Sequence, residues 1–189
     1  MKKQLEGAEI HYLTKKQFVP VLEANPYIDK IYSIKDRINE KIEDLYNENY
    51  DCIIDLHKNF RSKGVVSKLR KPSYTFNKIN LQKWLIVNFK INRLPDIHIV
   101  DRYFEAVKKI NVKNDLQGLD YFIPEKDKVD LKFLPEKFQK GYIGWVIGGK
   151  HNTKIYPEEK LIEICQKLKQ AVLILGGPED KASGDRIQK

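Results

Sequence analysis

The chain has 189 residues, 41% hydrophobic and 32% charged, enough for one domain with a sizeable core or for one domain and part of a second. That composition excludes a disordered chain, and no apolar run approaches the roughly 20 residues that span a bilayer. The formal net charge is +9, with lysines spread along the chain, which favours anionic partners (nucleotide phosphates, phosphorylated lipid, nucleic acid) without choosing among them.

In chain order, β-like runs alternate with helical segments. "AEIHYL" (8–13) predicts a strand, "KKQFVPVLEANP" a short helical piece ending near Pro26, and "IDKIYSI" (28–34) a second strand. "DRINEKIEDLYNENY" spaces Ile38, Ile42 and Leu45 on one helical face. "YDCIIDL" (50–56) has the continuous apolar run of a strand covered on both faces. "RSKGVVSKLRK" predicts a helix and "SYTFN" a short strand. "NLQKWLIVNFK" reads as one helix face, packed in the core or touching a lipid or partner. Residues 96–110, "DIHIVDRYFEAVKKI", predict a long amphipathic helix with Ile99, Tyr103, Val107 and Ile110 on one face. An irregular, charged segment, 111–140, contains Pro124 and Pro135 and includes the expected linker. The alternation then resumes: strand "GYIGWVIG", helix "PEEKLIEICQKLK", strand "AVLILGG", helix start "PEDKASGDRIQK". Strands alternating with helices predict an α/β fold with a parallel sheet.

Cys52 and Cys165 lie far apart in apolar surroundings, which predicts buried reduced thiols in the cytoplasm rather than a disulfide or metal site. The start, "MKKQLEGAEIHYL", is basic but has no apolar signal core, so nothing in it predicts export. "MKKQLEG" reads as the tail of a helix, a doubly wound domain would place a strand before it, and the chain stops inside a helix. Both ends are therefore expected to be missing.

Three stretches could carry chemistry. "DLHKNFRSKG" (55–64) follows a strand, where α/β folds place ligands. Its Asn59, Arg61, Ser62 and Lys63 could bind phosphate or sugar hydroxyls; equally, Asn59 could cap the next helix while the cations face solvent. In "WVIGGKHNTKIYPEEK", Gly148 and Gly149 permit close approach to the backbone, and Lys150, His151, Thr153 and Lys154 occupy the loop before Pro157 opens a helix. A lysine there could meet a diphosphate, or the stretch could be an ordinary polar loop; neither a Walker loop nor G-x-G-x-x-G is present. In "LILGGPEDKASGDR", Glu179 or Asp180 could accept hydrogen bonds from a ribose, or only cap the helix. His11 reads as structural, His98 as a surface or packing residue. No two histidines have metal-ligand spacing and no G-x-S-x-G elbow exists, so neither a metal site nor nucleophilic catalysis is expected.

Together these stretches resemble glycosyltransferase family 9, the heptosyltransferases of lipopolysaccharide core synthesis. The resemblance is carried in order by "AEIHYLTKKQFVPVLEANPYIDKIY", "YDCIIDLHKNFRS", "HIVDRYFEAVKKI", "KIYPEEKLIEICQKL" and "VLILGGPEDK". It implies a GT-B architecture of two Rossmann-like domains. Residues 1–125 would form the acceptor-side N-terminal domain without its first strand, 126–140 the linker, and 141–189 the beginning of the nucleotide-sugar-binding domain. It implies an inverting, metal-independent transfer of a heptose or related sugar from an ADP-sugar to a lipid A-core acceptor. No cofactor or nucleic acid would be needed, and the site of action would be the cytoplasm or the cytoplasmic face of the inner membrane, peripherally.

Carried over by motif, Lys154 would contact the donor diphosphate, and the loop Gly149, Lys150 and Thr153 would lie against the phosphates. Asp180 would face the ribose or base. Arg61, with Asn59, Ser62 and Lys63, would line the acceptor side. Two departures matter. The family's catalytic Asp base precedes Met1, and its "D(T/S)…H.A.A" segment lies beyond Lys189, so this chain alone is expected to be inactive. The family also often has hydroxyl residues where Gly149 and Lys150 stand, and Tyr156 replaces the usual Trp. Alternatives are another GT-B enzyme using a UDP-sugar, a non-catalytic basic α/β module, and a degenerate product. Against nucleic-acid binding stands the expectation that no basic cluster is interleaved with exposed aromatics.

Overall fold

A computed structural model describes residues 1–149 and 151–188. The chain divides into two compact units, Met1–Pro124 and Glu125–Lys189.

In the first unit, β1 (His11–Lys15) pairs in parallel with β2 (Lys30–Ile34), with His11 opposite Lys30 and Lys15 opposite Ile34. Parallel pairing demands a crossover. Here it is short: a 3-10 turn, Lys16–Phe18, leads into α1 (Val19–Leu22). A 3-10 turn, Ile38–Lys41, then enters α2 (Ile42–Asn47), and β3 (Ile53–Asp55) pairs in parallel with β4 (Ser73–Thr75) across α3 (Phe60–Leu69). Tyr32, Leu45, Val65 and Leu69 form the buried core, with Leu13, Ile38, Ile42, Tyr50 and Ile53 packed on it. The helical face expected of Ile38, Ile42 and Leu45 is thus the buried one.

Only three residues of the expected strand 50–56 are paired, and they are half-buried rather than covered on both faces. Its partner is equally short. Pro72 closes one end, its carbonyl accepting the Ile53 N–H at 2.8 Å, and Phe76 leaves the strand to be buried. The strands therefore form parallel pairs rather than one continuous sheet.

The single helix expected over 96–110 is broken. It consists of α5 (Ile99–Tyr103) followed by 3-10 turns at Phe104–Ala106 and Lys108–Ile110. The buried side chains are Arg102, Ala106 and Val107, while Ile99 is exposed. Tertiary bonds account for the change. Arg102 Nη2 donates to the Asn77 carbonyl at 2.7 Å, and the Asn77 N–H donates to the Glu105 carboxylate at 3.0 Å. Positions 102 and 105, three apart across the junction of α5 and the first 3-10 turn, face the same side and grip one backbone unit. His98 caps α5, its Nδ1 accepting the Val100 N–H at 3.3 Å.

Residues 1–7 form hydrogen-bonded turns rather than a helix tail, and Gln4 exchanges two bonds with the Lys113 backbone. His11 is structural as expected, bonding the Tyr50 hydroxyl at 3.0 Å and Glu9 at 2.8 Å. Cys52 and Cys165 are free but half-buried rather than buried; burial pushes the Cys52 thiol up.

In the second unit, α6 (Glu136–Gln139) precedes β5 (Ile143–Val146), which pairs in parallel with β6 (Val172–Leu175) across α7 (Glu158–Lys167). α8 (Lys181–Ile187) follows a 3-10 turn, Pro178–Asp180. Ile147, Leu161 and Ile187 make the core, with Trp145, Ile162, Cys165 and Ile174 against it; Leu161 is 1% exposed. Glu158, in the first turn of α7, is tied to Arg186 of α8 by two bonds of 2.8 and 2.6 Å.

Candidate functional site

Two places at strand ends hold the expected residues. The first is the turn after β3. Asp55 Oδ1 accepts the N–H groups of His57 at 2.9 Å and Lys58 at 2.7 Å, and its Oδ2 accepts the Ser62 hydroxyl at 2.8 Å. Asn59 is the N-cap of α3: its Oδ1 accepts the Ser62 N–H at 2.9 Å, and its own N–H donates to Ser62 Oγ at 3.0 Å. This reciprocal box satisfies backbone donors that a helix start leaves open. Asn59 and Ser62 are brought together with Asp55, and the Asn59 side-chain oxygen and the Ser62 hydroxyl are committed to the cap.

Arg61 and Lys63 are exposed on the first turn of α3, with the Lys63 ammonium 5.9 Å from the Phe60 ring centroid. Phe60 itself is 93% exposed. The turn therefore presents two cations and an aromatic ring on a rigid frame.

The second place is a cleft of about 670 Å³ at the carboxyl ends of β5 and β6, lined by Val146, Leu175, Glu179, Asp180 and the glycines 148, 149, 176 and 177. Asp180 Oδ2 accepts the Gly177 N–H at 2.8 Å, which closes the turn that opens α8. A Cβ at Gly148 would overlap Asp180 Oδ2, with Cγ 3.0 Å away, and one at Gly176 would lie 2.8 Å from Asp180 Cβ. One at Gly177 would lie 2.6 Å from the Glu179 carboxylate. Gly148 and Gly176 are thus needed to seat Asp180, a role that the sequence, read at Gly148 as space for a ligand, did not reveal; at Gly177 the Glu179 side chain can swing aside. At Gly149 a Cβ would be crowded without overlap, with the Ile155 side chain as nearest neighbour at 3.2 Å.

Gly149 and Asp180 line this cleft together. Thr153 and Lys154 do not line it. They lie in the exposed 3-10 turn Asn152–Lys154, whose start is fixed by the Lys154 N–H donating to the His151 carbonyl at 2.8 Å. The Lys154 carbonyl would lie 3.5 Å from a Cβ at Gly149, so the lysine's backbone abuts the cleft wall. Lys150 lies outside the described residues. Chemically, the cleft offers exposed backbone at one strand end, carboxylate acceptors at the other, and the backbone of the exposed Lys154 turn against its wall. Such a set can bind a ligand with hydroxyls at one end and phosphate at the other.

The sequence profile of Glycosyltransferase family 9 (heptosyltransferase) matches residues 39–189. The chain belongs to this family. Solved structures agree on its fold. A family 9 glycosyl transferase from Veillonella parvula superposes with a TM-score of 0.66 at 21% identity, over 95% of this chain and 56% of its own. The E. coli heptosyltransferase WaaC with ADP gives 0.66 at 17% identity, over 100% and 63%. The E. coli ADP-heptose lps heptosyltransferase II gives 0.66 at 16%, over 98% and 60%. The family 9 chain described here therefore has an α/β fold of GT-B type and spans less than two thirds of the length of each of these structures. No curated protein matches it.

Proposed function

We propose that this chain is part of a transferase that moves a heptose, or a related sugar, from an ADP-sugar to a lipopolysaccharide core acceptor. The observation that carries this reading is the glycine-lined cleft at the ends of β5 and β6, with Asp180 inside and the Lys154 turn against its wall. In this reading residues 141–189 form the donor-binding part. Asp180 receives a ribose hydroxyl, and Lys154, with Gly149, Lys150 and Thr153, meets the diphosphate. A cation placed there stabilises the leaving nucleoside diphosphate as the glycosidic bond breaks, work that needs no metal. Inversion follows if the acceptor hydroxyl attacks from the opposite face.

Residues 1–125 form the acceptor part, and 126–140 the connection. Arg61 and Lys63 meet phosphorylated sugars, while Asn59 and Ser62 hold the helix that presents them. Asp55 accepts three hydrogen bonds within its own turn, and we give it a structural role there rather than that of the base. The free thiols of Cys52 and Cys165 fit a reducing, cytoplasmic compartment.

Calorimetric titration with ADP and with UDP tests the reading. ADP binding at least tenfold tighter than UDP supports it. Equal or reversed affinities would favour a UDP-sugar enzyme of the same fold.

A further inference from the structure

The helix α4 (Asn80–Phe89) does not behave as the core helix its apolar sequence suggests. Leu85 and Ile86 are half-buried, but Leu81, Trp84 and Val87 are 65%, 52% and 67% exposed. Their i, i+3, i+6 spacing puts them on one face. Phe89, stacked edge-on against Trp84 with ring centroids 5.1 Å apart, and Ile91 and Leu94 beyond it, extend the exposed apolar surface.

The charge is not spread evenly either. Residues 56–95 contain ten Lys and Arg and no Asp or Glu, which leaves 25 Lys and Arg against 26 Asp and Glu in the remaining chain. The whole positive excess therefore lies in this one segment. Lys83 and Lys90, seven residues apart and so nearly in line along the helix, flank the apolar face. Among the described residues, neither these two nor Lys78 nor Arg93 takes part in an ion pair.

We infer that α4 and the segment after it, residues 80–94, dock on the surface of an anionic lipid bilayer. Apolar side chains on one face with cations alongside are what binds a helix in the plane of a charged membrane. No helix here is long and apolar enough to cross one among the described residues, so docking is in-plane. The expectation that no basic cluster is interleaved with exposed aromatics does not hold, because Phe60, Trp84 and Phe89 are exposed within this acid-free segment. Aliphatic residues nevertheless outnumber rings on α4. Single-stranded nucleic acid stacks on rings, and Leu81, Val87, Ile91 and Leu94 offer it nothing. This inference does not depend on the donor reading.

Co-sedimentation of the full chain with vesicles tests it. Binding to vesicles of equal phosphatidylglycerol and phosphatidylcholine, weakened by salt, is expected, with little binding to phosphatidylcholine alone. Lys83→Gln/Lys90→Gln should weaken it by roughly thirtyfold, and Trp84→Ser/Val87→Ser by at least tenfold. Tryptophan emission should shift to the blue on vesicles, and Trp84→Phe should lose that shift while keeping most of the binding. Circular dichroism checks that each variant is folded. Equal binding to neutral and anionic vesicles would overturn the inference, as would no effect of either double variant. Two other outcomes would also overturn it: a concentration-dependent dimer abolished by Trp84→Ser/Val87→Ser, or oligonucleotide binding lost in Lys83→Gln/Lys90→Gln without vesicle binding.

Discussion

Asp180 and Gly148 meet where β5 and β6 end. The carboxylate fills the space that a side chain at 148 would need, while its Oδ2 is held by the Gly177 N–H at 2.8 Å. A residue of the α8 entry is thereby locked against the end of the neighbouring strand, and the cleft takes its shape from that contact.

The lock makes two glycines separable by a mutant cycle. Gly148→Ala should destabilise the second unit by about 1–3 kcal/mol, since the added methyl overlaps a pinned oxygen. Asp180→Ala in the same chain should recover part of that loss, because the oxygen is gone. Gly176→Ala should not be rescued, because its methyl meets Asp180 Cβ, which alanine retains. Thermal unfolding of the three single and two double variants checks this. Rescue of Gly176→Ala, or none of Gly148→Ala, would contradict the packing.

The turn after β3 predicts a cap effect. Asn59→Ala removes the acceptor for the Ser62 N–H and should cost about 1 kcal/mol in urea unfolding of the first unit. Ser62→Ala also strips Asp55 of its hydroxyl partner and should cost no less. If Asn59→Ala is neutral, the box contributes nothing.

Part of the acid stability should come from Glu158. Hydrogen bonds from Arg186, then Ser183, lower Glu158 from its ordinary 4.5 to about 2. A depressed folded-state value means stabilisation that is fully present above the unfolded value and lost as pH falls from about 4.5 through about 2. The pair is partly exposed, so the effect is small and salt-sensitive. Glu158→Gln should lose stability relative to wild type near neutrality, and the difference should shrink as pH falls through that window. A pH-independent difference in thermal midpoint would rule the pair out as its source.

How much of this could be read from residues alone depends on range. The parallel alternation, the face of Ile38, Ile42 and Leu45, and the polar turns at 55–64 and 151–157 follow from local pattern, and the structure has them. The break at 103–104 does not, because its cause, Arg102 and Glu105 both bonded to Asn77, lies some 25 residues away in sequence. The exposure of α4 was equally hidden: Leu85 and Ile86 inward and Leu81, Trp84 and Val87 outward make a helix apolar on two sides, and periodicity cannot say which side is covered. At Asp180, capping and ligand contact need the same residue at the same spacing. Only the overlap with Gly148, across two strands, reveals the structural part of its role.

The central claim is that the Lys154 turn serves a nucleoside diphosphate. The most direct measurement is the calorimetric affinity of ADP for the wild-type chain and for Lys154→Ala. Loss of a charge-assisted contact to phosphate predicts roughly ten- to a hundredfold weaker binding in a variant of unchanged thermal stability. Unchanged ADP affinity would contradict it.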